Sequence, residues 1–245
     1  MNARYLTLEV ARQLRNVRSL IFTFALPVVM LLIFGGAYGS QTDSSTSLPW
    51  LVVTAVQMAA YGAMMAALSQ AFSIVNERAL GWNRQLRITP LSGTGYLVSK
   101  VVAALAVAAA SIVVVVLVAV LVLHASLGFS GWLAAGVGIW LGVIPFALLA
   151  ILIGQFARPE FAQPLFMATF FGLAILGGLW IPLQIMPSWV AAIGHLTPSY
   201  WLDRVGQLGA LGSGGIGVPA LVLTAWALGL GLIVAWRYRR DAARA

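Results

Sequence analysis

The sequence contains no cysteine, only two histidines and few charged side chains of either sign. The missing thiols exclude disulfides, thiolate nucleophiles and thiolate metal ligands, and two histidines offer little material for a metal centre. Only 8% of the 245 residues are charged, whereas soluble domains carry roughly 25%. Because 61% of the residues are hydrophobic and the mean hydropathy is +0.97, the composition predicts an integral membrane protein.

Long stretches without ionisable residues predict the membrane-spanning segments, since a bilayer core of about 30 Å requires about 20 apolar helical residues. We therefore expect an all-α protein with six transmembrane helices, at residues 20–38, 50–72, 100–123, 132–156, 164–182 and 216–236. Prolines at 182, 187 and 198 interrupt the chain after the fifth crossing. Residues 183–215 are therefore predicted to form a broken, re-entrant extracellular hairpin.

The distribution of basic residues predicts the orientation of these crossings. With six crossings, Arg204 alone among the 14 lysines and arginines falls on the side opposite the termini. Cytoplasmic segments are enriched in basic residues, so both termini and the loop 73–99 are predicted to be cytoplasmic. The net charge of +8 is thus explained by topology and attraction to anionic lipids, and nucleic acid is not an expected partner.

Residues of about 3–19 form a predicted amphipathic elbow helix ahead of an uncleaved first crossing. Leu6, Val10, Leu14, Val17 and Ile21 recur at helical spacing on one face, and basic residues, Arg4, Arg12, Arg15 and Arg18, lie on another. This pattern is typical of a helix in the headgroup plane. A solvated positive tail is the alternative interpretation.

The sequence lacks the groups that membrane enzymes and ion-coupled carriers need. It contains no His-Glu-x-x-His metal motif, and apart from Lys100 at the edge of the third, the predicted crossings hold no Asp, Glu, Lys or Arg for a coupling ion. Lys100 is the only lysine, and it lies between Ser99 and Val101, so there is no phosphate-binding loop. We expect neither a metal nor a cofactor on this chain. His124 and His195 are interpreted as residues at the membrane interface. Any ATP that drives it belongs to another polypeptide.

The cytoplasmic loop carries a motif, for which a short helix from about Glu77 to Arg87 is expected. The loop resembles the coupling loop of ABC-2-type ABC transporter permeases, in which Glu-Arg, Gly, Leu-Arg-x-Thr-Pro-Leu and Lys recur in this order. The matching positions are Glu77, Arg78, Gly81, Leu86, Arg87, Thr89, Pro90, Leu91, Ser92 and Lys100. Trp82 departs from the small hydroxyl residue usual in the family and is included among the coupling residues.

The predicted outer hairpin carries a second motif, which resembles the extracellular hairpin of the same family. Its residues are Gly177, Gly178, Trp180, Pro182, Pro187, Trp189, Pro198 and Tyr200, with Leu-Thr-Pro in place of the usual Leu-Pro. The two motifs, the elbow and the six crossings extend the resemblance over nearly the whole chain.

The resemblance implies the transmembrane subunit of a bacterial ABC exporter, a multi-pass protein of the cytoplasmic membrane. It implies two separate cytoplasmic ATPase subunits, which hold ATP and magnesium, and a second permease subunit in a homodimer or a related heterodimer. An apolar or amphiphilic cargo is expected, such as a drug in multidrug efflux, a lipid, an antibiotic or a hydrophobic peptide. A gradient-driven carrier or channel and a membrane scaffold are the alternatives.

Two patterns in the crossings have more than one interpretation. A polar stripe on the second crossing consists of Thr54, Gln57, Tyr61, Met65 and Ser69, and it predicts either a pathway lining or hydrogen bonding between packed helices. Glycine pairs at 35/39 and 138/142 permit close helix approach, either between subunits or within one chain.

The topology is testable because the chain has no native thiol. Cysteines introduced singly at Ser92 and Ser213 should react with a membrane-impermeant reagent from opposite sides of oriented vesicles. Reaction of both from the same side would contradict the predicted topology.

Overall fold

The computed structural model describes residues 3–15, 17–39, 42, 48–81, 93–181, 183, 186–212 and 215–242. Helices dominate these ranges, which contain no strand, as the composition predicts. The described helices are α1 (Ala3–Leu14), α2 (Val17–Tyr38), α3 (Trp50–Leu68), α4 (Gln70–Ala79), α5 (Gly93–Leu121), α6 (Phe129–Gly142), α7 (Ile144–Phe156), α8 (Pro159–Leu176), α9 (Ser188–Gly194), α10 (Pro198–Leu211) and α11 (Gly217–Ala242).

Five helical stretches among these residues are long and apolar enough to cross a membrane. They are Trp50–Ala79, Gly95–Leu121, Phe129–Phe156, Pro159–Leu176 and Gly217–Arg237. They overlap the second to sixth predicted crossings. At the first, a shorter apolar helix covers Thr23–Tyr38, so the count of six remains a prediction.

Several predicted boundaries are wrong by part of a helix. The elbow helix ends at Leu14, and the helix of the first crossing already begins at Val17. The fifth helix begins at Pro159 and ends at Leu176, so Pro164 lies inside it instead of starting it. Pro159 occupies the first helical position, where a backbone N–H would have no partner within the helix, and this favours the earlier beginning.

The helix of the second crossing continues well past its predicted end at residue 72. Trp50–Ala79 contains 30 residues and would be about 45 Å long, whereas the bilayer core is about 30 Å thick. A break at Ser69 separates α3 from α4, which we assign to the part beyond the core. The prediction that a helix starts at Glu77 is therefore wrong, because Glu77 lies in the last turn of α4.

The central helix of the bundle is α3. It packs against α2, α5, α7 and α10, and most of its residues are buried. Its side chains facing these neighbours are largely small, with Ala55, Ala59, Ala63 and Ala67 almost fully buried. Small residues let helix backbones approach closely in lipid, and larger buried side chains of α3, such as Met58, Met64 and Leu68, fill the remaining space.

Glycines bring α10 against α6 within the same chain. Methyl groups added at Gly138 and Gly142 would lie 3.4 Å and 2.9 Å from Val205 and Leu202 of α10, respectively. On the opposing helix, a methyl group at Gly209 would lie 2.8 Å from the backbone carbonyl carbon of Ala134. The glycine pair on α6 thus serves packing within one chain.

Replacing Gly209 by alanine should destabilise the protein, because the new methyl group meets backbone that cannot rotate away. Overpacking of this kind costs about 1–3 kcal/mol. Gly229→Ala on α11 is the matched control, since nothing lies within 4 Å of its added methyl group. Unfolding in detergent should distinguish them. Equal stability of the two variants would contradict the close approach of α10 to α6.

Candidate functional site

A fully buried lysine lies where α1, α4 and α5 meet. The Lys100 side chain on α5 is 0% exposed. Its Nζ donates hydrogen bonds to Oε1 of Glu9 at 2.7 Å, to Oε1 of Glu77 at 2.6 Å and to Oγ of Ser73 at 3.1 Å. An ammonium group has three N–H donors, so these acceptors match its capacity. We refer to Glu9, Arg12, Ser73, Glu77, Tyr96 and Lys100 as the buried charge cluster.

Arg12 balances the charge of this cluster. Its guanidinium group donates to Oε1 of Glu9 at 3.0 Å and to Ser73 Oγ at 2.7 Å, and it also donates to Glu77. Two cations therefore face two carboxylates that are each less than 10% exposed. Removing one member of a buried ion pair leaves an uncompensated charge, which is far more costly than removing an exposed one.

Glu77 is the acceptor that links all three helices. Tyr96 Oη donates to its Oε2 at 2.7 Å, and Ser73 Oγ donates to its Oε1 at 3.1 Å. Burial by itself raises the pKa of Glu77. The charge of Lys100 and the hydrogen bonds from Lys100, Tyr96 and Arg12 together lower it by more, so this pKa lies below its ordinary value. Glu77 is therefore ionised at neutral pH.

Arg78, the next residue, fastens α4 to the end of α7. Its Nη1 donates to the carbonyl oxygens of Gly154 at 2.8 Å and Ala157 at 3.4 Å. These carbonyls belong to the last turn and the cap of α7, where backbone acceptors lack partners within the helix and a cation is favoured. Both charged residues of the Glu-Arg motif thus contact their own chain.

The segment that follows turns away from α4. Gly81 has a φ of +69°, and its N–H donates to the carbonyl oxygen of Arg78 at 3.1 Å. Glycine adopts this left-handed conformation without strain and commonly ends a helix. Leu80 beside it is 81% exposed. The remaining predicted coupling positions, Trp82, Leu86, Arg87, Thr89, Pro90, Leu91 and Ser92, lie outside the described residues.

Sequence reasoning missed three members of the cluster: Glu9, Ser73 and Tyr96. It placed Arg12 on the basic face of the elbow helix, where this side chain is half-exposed, but did not predict its ion pairs with Glu9 and Glu77. The one signal for Glu9 was a single carboxylate within a predicted elbow otherwise rich in arginine. That residue lies on the buried face of α1, which packs along α5.

The polar stripe of α3 is largely covered by neighbouring helices. Thr54 and Tyr61 are buried, and Gln57, Met65 and Ser69 are partly buried. Thr54 and Ser69 donate hydrogen bonds to carbonyl oxygens of their own helix. The Tyr61 ring packs 5.1 Å from Phe170 and 5.6 Å from Trp180, measured between ring centroids. Tyr61 of the stripe thus faces α8 and the residue Trp180 that follows it.

The motif residues of the hairpin close its first turn tightly. Gly177 caps α8, and a methyl group there would lie 2.2 Å from Ser199 Oγ. Gly178 has a φ of +78°. Trp180, which follows, is half-buried against Tyr61. These glycines allow α10 to begin directly against the end of α8.

The later motif residues of the hairpin lie in or directly before α9 and α10. Pro187 precedes α9 and Pro198 is the first residue of α10, while Trp189 is 67% exposed. Tyr200 packs edge-on against His195, with 4.5 Å between ring centroids. Pro182 lies outside the described residues.

Comparison with known proteins identifies the family. The model of the ABC-2 type transporter family matches residues 5–203, from α1 to the middle of α10. The chain belongs to the ABC-2 type transporter family. It is also 26% identical over 193 residues to a Bacillus subtilis (strain 168) protein named "Putative transport permease YvfS", and the match covers 78% of each chain. An ABC-2 chain is the membrane component of an ABC transporter and is not itself the catalyst of ATP hydrolysis.

Replacing Lys100 by methionine should strongly destabilise this ABC-2 permease, because it leaves Glu9 and Glu77 buried with Arg12 as the remaining cation. Breaking a buried pair in this way costs about 3–5 kcal/mol. Arg15→Met, at an exposed position just after α1, should change the free energy of unfolding by about 0.5 kcal/mol or less. Denaturant unfolding in mixed micelles measures both.

A double variant and the pH provide the controls. Adding Glu9→Gln to Lys100→Met should restore part of the lost stability, since it removes the unpaired charge. The pKa of Glu77 is lower in the folded state than in the unfolded state. Its contribution to the free energy of unfolding is therefore complete above its ordinary pKa and is lost as the pH falls through the pKa of the folded state. A Lys100→Met variant as stable as Arg15→Met would contradict the buried charge cluster.

Proposed function

We propose that this chain is the permease subunit of an ATP-driven exporter in the bacterial cytoplasmic membrane. It pairs with a second permease, identical or related, and with two cytoplasmic ATPase subunits that hold ATP and magnesium. Membership of the ABC-2 family supports this assignment. The only lysine of the chain is committed to buried carboxylates, which agrees with an ATP-binding site on another polypeptide.

The observation that carries the proposal is the position of the buried charge cluster at the base of the loop 82–92. Residues 80 and 81 lead out of α4, and α5 returns from the loop at Gly93. Glu77 and Lys100 join these two helices, and Glu9 adds α1. A force applied to the loop is therefore delivered to α1, α4 and α5 together, and through α5 to the central helix α3.

The coupling residues divide into two roles. Glu77 and Arg78 transmit the motion, since both are bound to their own chain. Leu80, Gly81 and the loop with Trp82, Leu86, Arg87, Thr89, Pro90, Leu91 and Ser92 form the surface that meets the ATPase. Leu80 supports this division because a large apolar side chain at a cytoplasmic helix end is exposed in the single chain.

The cargo that best fits the bundle is apolar or amphiphilic, such as a drug, lipid, antibiotic or hydrophobic peptide. The α3 stripe would border the pathway where Tyr61 meets Phe170 and Trp180, a surface suited to aromatic or acyl groups. An apolar pocket of about 360 Å³ lies between α7, α8 and α11, lined by Phe146, Gly172 and Trp226 among others. Rearrangement of these helices would open a route for such a cargo.

Changing Leu80 to aspartate should weaken ATPase binding about 10-fold or more without destabilising the permease. Loss of one buried apolar anchor at an interface typically costs more than 1 kcal/mol, and 1.4 kcal/mol corresponds to a factor of ten. Co-purification of the ATPase with the wild-type and variant permeases measures the effect. Leu196→Asp, at a comparably exposed position after α9, is the matched control.

Two outcomes would contradict the proposal. Unchanged co-purification of Leu80→Asp would show that the end of α4 is not part of the docking surface. Transport in liposomes that contain this chain without any ATPase would instead support a gradient-driven carrier.

A further inference from the structure

A carboxyl group without a charged partner is buried near the outer hairpin. Asp203 on α10 is 8% exposed. Its Oδ2 accepts a hydrogen bond from Gln207 Nε2 at 2.7 Å, whereas Oδ1 has no partner among the described residues. The side chain of Gln57, from the polar stripe of α3, also interacts with this carboxyl group. The described residues place no cation within 4 Å of it.

Among the described residues, Arg204 is the charged group whose field acts on Asp203, and its guanidinium group reaches Gln207 and not the carboxyl group itself. Its Nη1 lies 3.5 Å from Gln207 Oε1. On the neighbouring elements, Tyr200 packs against His195, and α6 has no ionisable residue.

The other helices packed against α10 bring no further charge to the site. The ionisable residue of α3 is Tyr61. On α8, Glu160 lies about 20 Å of helix before Leu173, whose carbonyl oxygen accepts a hydrogen bond from Ser199 of α10. On α11, the charged residues lie about as far beyond Leu223, which approaches Gly142 beside Leu202 of α10.

A proton satisfies this site better than a negative charge does. An ionised carboxylate buried without a cation and with one oxygen unpaired is costly, whereas a protonated carboxyl group is neutral. Burial raises the pKa of Asp203 to about 7, although Arg204 and Gln57 act to lower it.

We propose that Asp203 is a proton-binding site that holds the outer hairpin closed, and that it releases its proton when α10 separates from α3. This inference goes beyond the proposed function, since it needs no ATPase. Close packing joins α10 to the central helix, since a methyl group at Gly206 would lie 2.8 Å from Val56, so movement of α10 away from α3 exposes the carboxyl group to water. An ionised Asp203 therefore favours the open hairpin, and a protonated one the closed hairpin.

Infrared spectroscopy of the purified permease in lipid nanodiscs tests proton binding directly. The chain has only six carboxyl side chains, so the band of a protonated carboxylic acid is readily assigned. We expect this band to persist to about pH 7 in the wild type and in Glu160→Gln, an exposed control, and to be absent above pH 6 in Asp203→Asn. Absence of the band above pH 6 in the wild type, or its survival in Asp203→Asn, would overturn the proposal.

The pH dependence of stability provides a second readout. Between the ordinary pKa of 3.8 and about 7, the folded state binds more protons at Asp203 than the unfolded state does. The contribution of this group to the free energy of unfolding therefore falls as the pH rises through that range. Asp203→Asn should remove this part of the slope, and an unchanged slope would contradict the assignment.

Thiol labelling tests the link to hairpin opening. Ser199→Cys places a thiol at a fully buried position at the start of α10, and Trp189→Cys places one at an exposed position on α9. The ratio of their labelling rates corrects for the reactivity of the thiolate itself. This ratio should rise several-fold from pH 6 to pH 8, but not in an Asp203→Asn background. A ratio independent of pH in the otherwise wild-type protein would refute the control of the hairpin by Asp203.

Discussion

The charge of Lys100 must be neutralised inside the protein, and the arrangement of α1, α4 and α5 depends on this constraint. An ammonium group that is completely removed from solvent is stable only with nearby anions and acceptors for its three N–H groups. The chain supplies Glu9 from α1 together with Ser73 and Glu77 from α4. Three segments that are distant in sequence are thereby held at one point.

This requirement links the fold to the proposed transmission of force. Apolar contacts between membrane helices are non-directional and tolerate sliding, whereas a satisfied ion-pair network has one geometry. Arg78 adds a second fixed point by binding the carbonyl end of α7. The base of the loop is therefore rigid on both sides of α4, and a push on the loop would move several transmembrane helices at once. Glu77 and Arg78 contact their own chain, and in the proposed function the exposed end of α4 is the part that meets the ATPase.

The sequence alone predicted the fold class and the approximate positions of the spans, because a membrane helix must be apolar for about 20 residues and its flanks need not be. It did not predict the extension of α4, since Gln70, Ser73 and Glu77 are polar and their burial depends on α1 and α5. Glu9 and Lys100 are 91 positions apart, and no local pattern indicates that such residues pair.

Asp203 was overlooked for a related reason. It lies beside Arg204 in a segment predicted to be extracellular, where an exposed ion pair would be unremarkable. The helix that carries it packs closely against α3 and α6, where a methyl group at Gly206 would lie 2.8 Å from Val56 and 2.9 Å from Ile139, and this packing requires tertiary structure to recognise. The family motifs, by contrast, could be recognised in the sequence because Gly81, Gly177 and Pro198 each fit a local backbone conformation at a helix end.

The central claim is that α1 and α4 move as one body, and a cross-link between them tests it most directly. Gln13 and Gln70 are joined by a hydrogen bond of 3.0 Å between their side chains, and the chain has no other thiol to interfere. In a Gln13→Cys/Gln70→Cys permease assembled with its ATPase in liposomes, a cross-link should leave ATP-driven transport intact. Loss of transport on cross-linking, with recovery on reduction, would show that the two helices must separate and would contradict this account.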